Sequence, residues 1–145
     1  DAAIRAFDAD GGTPEDILQR TEVAMRGTRG GAVAAAVIDH ATGQFDYAGI
    51  GNIAGTLVHG ERRVGLMSHY GIVGGQMRKA KMLRYDWSSD TTLVLHSDGL
   101  QARWSLDGYA GWRMRHPAVV AGLLFRDYAR GNDDITVLVL RRNHA

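Results

Sequence analysis

Thr92-Leu93-Val94-Leu95-His96-Ser97-Asp98-Gly99-Leu100 runs from a short apolar segment straight into an acidic turn. The chain repeats the arrangement in reverse at Asp133-Asp134-Ile135-Thr136-Val137-Leu138-Val139-Leu140, where the acids open the apolar run. Each run reads as a strand, and strands this apolar are expected to be buried on both faces. A carboxylate at the mouth of each then sits on the rim of a core, where hard divalent cations find oxygen ligands. Taken alone, each motif is a plain turn: Asp-Gly after a strand, and Asn132-Asp133-Asp134 ahead of one, with side chains bonding their own backbone. The pairing changes the reading, because two strands of one sheet would present carboxylates side by side. Like charges so placed repel unless a cation lies between them, which makes Asp98 and Asp133 the candidate metal ligands.

Working outward, Thr13-Pro14-Glu15-Asp16 is a helix start, with Thr as cap, Pro at the first helical position and acids in the first turn. Ile17, Leu18, Ala24 and Met25 follow at helical spacing, and Arg26-Gly27 closes the element. From Gly30 the period changes. Ala32 to Ile38 is an apolar run suited to a central strand, and Ala41-Thr42-Gly43 turns it into a hairpin whose returning strand carries Phe45 and Tyr47 on one face. Gly49, Gly51 and Gly55 around Asn52 predict a bulge or a close backbone approach. A second hairpin is expected at His59-Gly60-Glu61, followed by a glycine-rich loop from Ser68 to Gly75 and a segment carrying Met82, Tyr85 and Trp87. Leu106 to His116 reads as irregular. Pro117 opens a second helix with a face of Val120, Leu123, Leu124 and Tyr128, ended by Arg130-Gly131, and Ile135 to Leu140 is the last strand. Tight turns rather than crossover helices join the strands, so the expected class is α+β, with antiparallel sheets and helices packed outside.

Composition narrows the partners. The 145 residues suit one domain, able to bury roughly two thirds of its unfolded surface. The net charge of +1 and scattered basic residues give no electrostatic case for nucleic acid or membrane. With no cysteine there is neither a disulfide framework nor a thiolate zinc site. No apolar run reaches the about 20 residues of a membrane span and no secretory leader is read, so a cytoplasmic location is the expectation.

Gly49-Ile50-Gly51-Asn52, Ser97-Asp98-Gly99-Leu100, His116-Pro117 and Arg130-Gly131-Asn132-Asp133-Asp134-Ile135-Thr136-Val137 resemble, in order and spacing, the metal-dependent type 2C protein phosphatases. The nearer branch is that of the bacterial stage II sporulation protein E-like phosphatases and stress-response regulators, and the resemblance runs from about Arg29 to Arg141. It implies an antiparallel β-sandwich flanked by helices, with two manganese or magnesium ions at one end. It also implies hydrolysis of phosphoserine or phosphothreonine by a metal-activated water rather than by a nucleophilic side chain. Asp98 and Asp133 match the metal ligands and so the catalytic residues. Asp134 and Gly99 are secondary, the first steadying the site and the second letting the backbone turn beside the metal. The loop from His69 to Gly75 is expected near the cleft. The implied partner is a phosphorylated regulatory protein such as an anti-sigma-factor antagonist.

The family also uses an earlier Asp-Gly, following an apolar strand, to bridge its two ions. Asp10-Gly11 follows Ile4-Arg5-Ala6-Phe7, which reads as a helix tail, and precedes a helix cap, so it reads as an interhelical turn. Asp8 to Gly11 lacks the later acids of a calcium loop. The chain, residues 1–145, is therefore expected to be a single phosphatase-like domain that lacks its N-terminal strands, weak or inactive by itself. The competing expectation is a non-catalytic interaction domain of the same fold. The six histidines show no paired spacing on a helix, Ser97 has no His-Asp partners for nucleophilic attack, and Trp87, Trp104 and Trp112 read as core or rim aromatics.

Overall fold

A computed structural model describes residues 12–75, 77, 79–131 and 133–142. The readings made for Asp1 to Phe7, Asp8 to Gly11 and Asn132 lie outside the described residues. The fold is mixed α+β, with two helices and two four-stranded sheets among the described residues. These group into two compact units, one of residues 12–53 and 67–88 and the other of 54–66 and 89–142.

In the first unit, helix α1 (Pro14–Met25) starts where the sequence places it. The Thr13 hydroxyl accepts from the Asp16 amide at 3.2 Å while the Asp16 carboxylate accepts from the Thr13 amide at 3.0 Å, a reciprocal cap of two otherwise unsatisfied donors. Strands β1 (Val33–Asp39) and β2 (Gln44–Ile50) form the expected hairpin, Asp39 opposite Gln44. Asp39 closes its turn by accepting from the Ala41 and Thr42 amides. β2 is buried on both faces because its alternation serves two clusters. Ala48 and Ile50 pack with Ile17 and Leu18 of α1, whereas Phe45 stacks on Tyr47 and Trp87 at 6.2 and 5.8 Å between ring centres. Gly51 shows the close approach expected of the glycines around Asn52: its φ is +94° and a Cβ there would lie 2.6 Å from that of Ala32.

In the second unit the order is β4 (Arg62–Leu66), β3 (Ala54–His59), β7 (Thr91–His96) and β8 (Val137–Arg141), all antiparallel. Helix α2 (Pro117–Tyr128) packs on it through Val120 and Leu124, with Val137, Val139 and Tyr128 completing the cluster around Trp104, Leu106 and Trp112. Trp104 and Trp112 are core aromatics, as read. The irregular segment before α2 holds one 3-10 turn, Trp112–Met114.

The sheets are antiparallel as expected, with one short parallel pairing: in the first unit the two-residue β5 (Ser68–His69) runs parallel to β2, while β6 (Leu83–Asp86) pairs antiparallel. Two expectations are corrected. The last strand begins at Val137, not Ile135, because Ser97 engages the backbone of residues 134 and 136 ahead of the regular ladder. Finally, Leu138 and Leu140 remain 48% and 40% exposed instead of buried, because Val137 and Val139 alternate with them and take the face packed on the cluster under α2.

Candidate metal centre

β7 and β8 are antiparallel neighbours with His96 opposite Val137. The chain leaving β7 and the chain entering β8 therefore meet at one end of the sheet, which brings residues 97–99 beside 133–136. Ser97 joins them. Its amide donates to the Thr136 carbonyl at 3.1 Å, its hydroxyl donates to the Asp134 carbonyl at 3.1 Å, and that hydroxyl accepts from the Thr136 amide at 3.0 Å. A serine that both gives and accepts acts here as one extra rung of the ladder.

Gly99 makes the approach sterically feasible. A Cβ at this position would lie 2.4 Å from the Asp134 carbonyl oxygen and 2.7 Å from the Ile135 side chain, distances that real Cβ atoms do not show. The Gly99 carbonyl accepts from the Arg130 amide at 2.9 Å, and the Gln101 amide donates to the Tyr128 carbonyl at 2.9 Å. The acidic turn is thus tied to the end of α2 as well as to the start of β8. α2 itself is capped by His116, whose Nδ1 accepts from the Ala118 amide at 3.2 Å. The helix stops at Tyr128, ahead of the Arg130-Gly131 terminator read from the sequence.

Beneath the turn lies a polar link through His96. His96 is 5% exposed. Its Nδ1 bonds the Ser97 carbonyl at 2.8 Å and its Nε2 accepts from the Trp104 indole N–H at 3.2 Å. Since the indole only donates, Nε2 carries the lone pair and Nδ1 the proton. The Ser97 carbonyl belongs to the peptide that enters Asp98, so Trp104 and His96 fix the orientation of that peptide. Nothing in the local sequence announces the bond, because residues 96 and 104 are joined by a loop of irregular structure.

Asp98, Asp133 and Asp134 are exposed at this end of the sheet. Asp133 turns one carboxylate oxygen onto the Asp134 amide at 2.9 Å. The donor set fits a hard divalent cation in kind, being carboxylate oxygen on a turn held from three sides. Among the described residues no group of three or more His, Asp or Glu side chains is arranged to hold a metal ion. The glycine-rich segment is placed in the other compact unit. There Val73 pairs with Gly31, the Gly74 amide donates to Glu22 at 2.5 Å, and a cavity of about 850 Å³ lies among Arg29, Gly31, Asn52, Tyr70 and Ile72.

Residues 1–143 match the profile of the family described as stage II sporulation protein E. The chain belongs to that family. It is thus placed in the SpoIIE-like branch of the type 2C (PPM) phosphatases, as the motifs suggested. No curated protein matches the sequence. Among solved structures, a chain from a description of the bacterial stressosome as a modular system adapted to control secondary messenger signalling is 24% identical, with a TM-score of 0.81 over 97% of this SpoIIE-family chain and 72% of that one. RsbX in complex with magnesium is 20% identical, with a TM-score of 0.67 over 86% of this chain and 62% of its own. The manganese-presoaked phosphatase domain of SpoIIE from Bacillus subtilis is 16% identical, with a TM-score of 0.62 over 99% and 71%. These likenesses establish the fold, and the chain spans less than two thirds of RsbX.

Proposed function

We propose that this SpoIIE-family chain is the greater part of a manganese- or magnesium-dependent protein phosphatase domain that hydrolyses phosphoserine or phosphothreonine on a regulatory protein of the cytoplasm, such as an anti-sigma-factor antagonist. The observation that carries the reading is the junction of the two acidic turns, where Ser97 and Gly99 hold residues 98 and 133–134 at one end of neighbouring strands. The neighbours RsbX, in complex with magnesium, and SpoIIE, presoaked with manganese, support manganese or magnesium as the metal in this reading.

Asp98 and Asp133 would hold the ion through carboxylate oxygen, Asp134 would steady the turn, and Gly99 would keep the two backbones in contact. A divalent cation, when bound, supplies Lewis acidity that acidifies water and neutralises charge on a phosphoryl group. The chain's own contribution is positional. Ser97 fixes the spacing of the turns, and His96 with Trp104 fixes the peptide ahead of Asp98. Such preorganisation avoids reordering the ligands when the ion enters.

A second reading is a non-catalytic interaction domain of the same fold, in which Asp133 serves as a turn residue, its carboxylate accepting from the Asp134 amide. Hydrolysis of para-nitrophenyl phosphate by the full-length protein with manganese separates the two. Turnover lost in Asp98→Asn and in Asp133→Asn, with folding intact, is the expected result. A folded protein inactive with every divalent ion, or one whose turnover survives both substitutions, would overturn the phosphatase reading.

A further inference from the structure

The end of the β3–β7–β8 sheet away from Asp98 carries a different charge. β7 runs from Thr91 toward Asp98 and β8 returns to Arg141, so the pair Thr92 and Arg141 lies at the opposite end of the same ladder. A cavity of about 530 Å³ opens there, lined by His59, Asp90, Thr92, Arg113, Arg141 and Arg142 among others.

Two of the arginines are held by neutral groups. Arg141 donates from Nε to the Thr92 hydroxyl at 3.0 Å and from Nη1 to the carbonyls of Arg113 and, at 3.1 Å, Arg115. Its Nη2 is buried without a hydrogen-bond partner. Arg113 donates to the Gly60 carbonyl at 2.6 Å, and both guanidinium groups lie over the ring of Trp112, at 4.7 Å for Arg113 and 5.6 Å for Arg141. Among the described residues neither Arg113 nor Arg141 forms an ion pair with a carboxylate, in contrast to Arg84 with Asp46 and Arg126 with Asp127. Asp90 lines the cavity without pairing to either. Burial, and then the charge of Arg113, push the Arg141 guanidinium below its ordinary pKa.

Two like charges gathered on one indole form an unfavourable arrangement that an anion in the cavity would relieve. The exposed Arg113 guanidinium matches the oxygens of a tetrahedral oxyanion, and Arg141, fixed by its carbonyl and hydroxyl partners, adds its charge beside it. We propose that this cavity binds a phosphate-class oxyanion, at a site separate from the acidic end of the sheet. Its volume leaves room for whatever the phosphoryl group is attached to, so free phosphate and a phosphorylated side chain are both sources of the same chemistry.

Calorimetric titration of the full-length protein with inorganic phosphate and, separately, with O-phosphoserine tests this in low salt with EDTA present. The chelator removes divalent cations that would draw phosphate to Asp98, so the outcome is independent of the phosphatase reading. Saturable binding is expected, weakened about ten-fold or more in Arg113→Gln and in Arg141→Gln. Binding of inorganic phosphate assigns the free ion, and binding of O-phosphoserine alone assigns a phosphorylated side chain. Arg113→Gln is the decisive variant if Arg141→Gln fails to fold, since Arg113 is exposed. No saturable binding of either probe by millimolar concentrations, or binding unchanged in Arg113→Gln, overturns the proposal.

Discussion

Replacing Gly99 by alanine is the most direct probe of the junction between the acidic turns. The new Cβ would meet the Asp134 carbonyl oxygen at 2.4 Å, the Asp134 carbonyl carbon at 3.0 Å and the Ile135 side chain at 2.7 Å. Two of these three contacts are with backbone, which cannot rotate away as a flexible side chain would. To restore an ordinary contact of 3.4 Å the Asp134 carbonyl must retreat by about 1 Å. That displacement falls on the peptides Ser97 stitches together, whose bonds to Asp134 and Thr136 already span 3.1 and 3.0 Å. Overpacking of this kind costs about 1–3 kcal/mol, and loosening the Ser97 bonds adds about 1 kcal/mol, so the expected loss is about 2–4 kcal/mol. Against a total stability of about 5–15 kcal/mol, this is a clear shift in urea midpoint. Gly65 serves as control. It lies in β4 of the same sheet, and a Cβ there meets nothing within 4 Å, so Gly65→Ala should fall within about 0.5 kcal/mol of the parent. Manganese titration of both variants supplies the second readout, with affinity falling in Gly99→Ala alone. If Gly99→Ala matches Gly65→Ala in both stability and manganese affinity, the reasoning about the junction is wrong.

The remaining predictions concern the polar link and acid stability. Trp104→Phe keeps an aromatic ring, though a smaller one, but leaves His96 Nε2 buried without its donor, and should cost at least about 1–3 kcal/mol by urea denaturation. An unchanged midpoint would show that the bond carries nothing. For pH, Arg126 and then Tyr109 hold the Asp127 carboxyl down to about 2, while Arg84 lowers that of Asp46 and hydrogen bonds from Thr42 and Ala41 lower that of Asp39. Folded pKa values below the unfolded value mean that this stabilisation is complete above about pH 5 and drains away as pH falls toward 2. The acid limb measured by circular dichroism should be shallower in Asp127→Asn, and a limb identical to the parent's would refute the assignment.

Much of this protein is written in short-range patterns. Thr13-Pro14 and His116-Pro117 announce helix starts because a proline at the first helical position fits regardless of what packs around it. The first hairpin is equally local, with Gly43 and Asp39 setting its turn. The acidic motifs and the family are legible for the same reason, since order and spacing survive without any contact being known. Tertiary structure decided what spacing cannot express. It packed one face of β8, that of Val137 and Val139, on the core, so that an apolar run expected to be buried leaves Leu138 and Leu140 exposed. It made Ser97 a rung joining two turns and Trp104 the donor that fixes His96, and it gathered Arg113 and Arg141 on one ring of Trp112. Each of these depends on which segments become neighbours across long stretches of chain. Hydrogen bonds and like charges act over a few ångströms of space, and distance along the sequence does not encode that proximity.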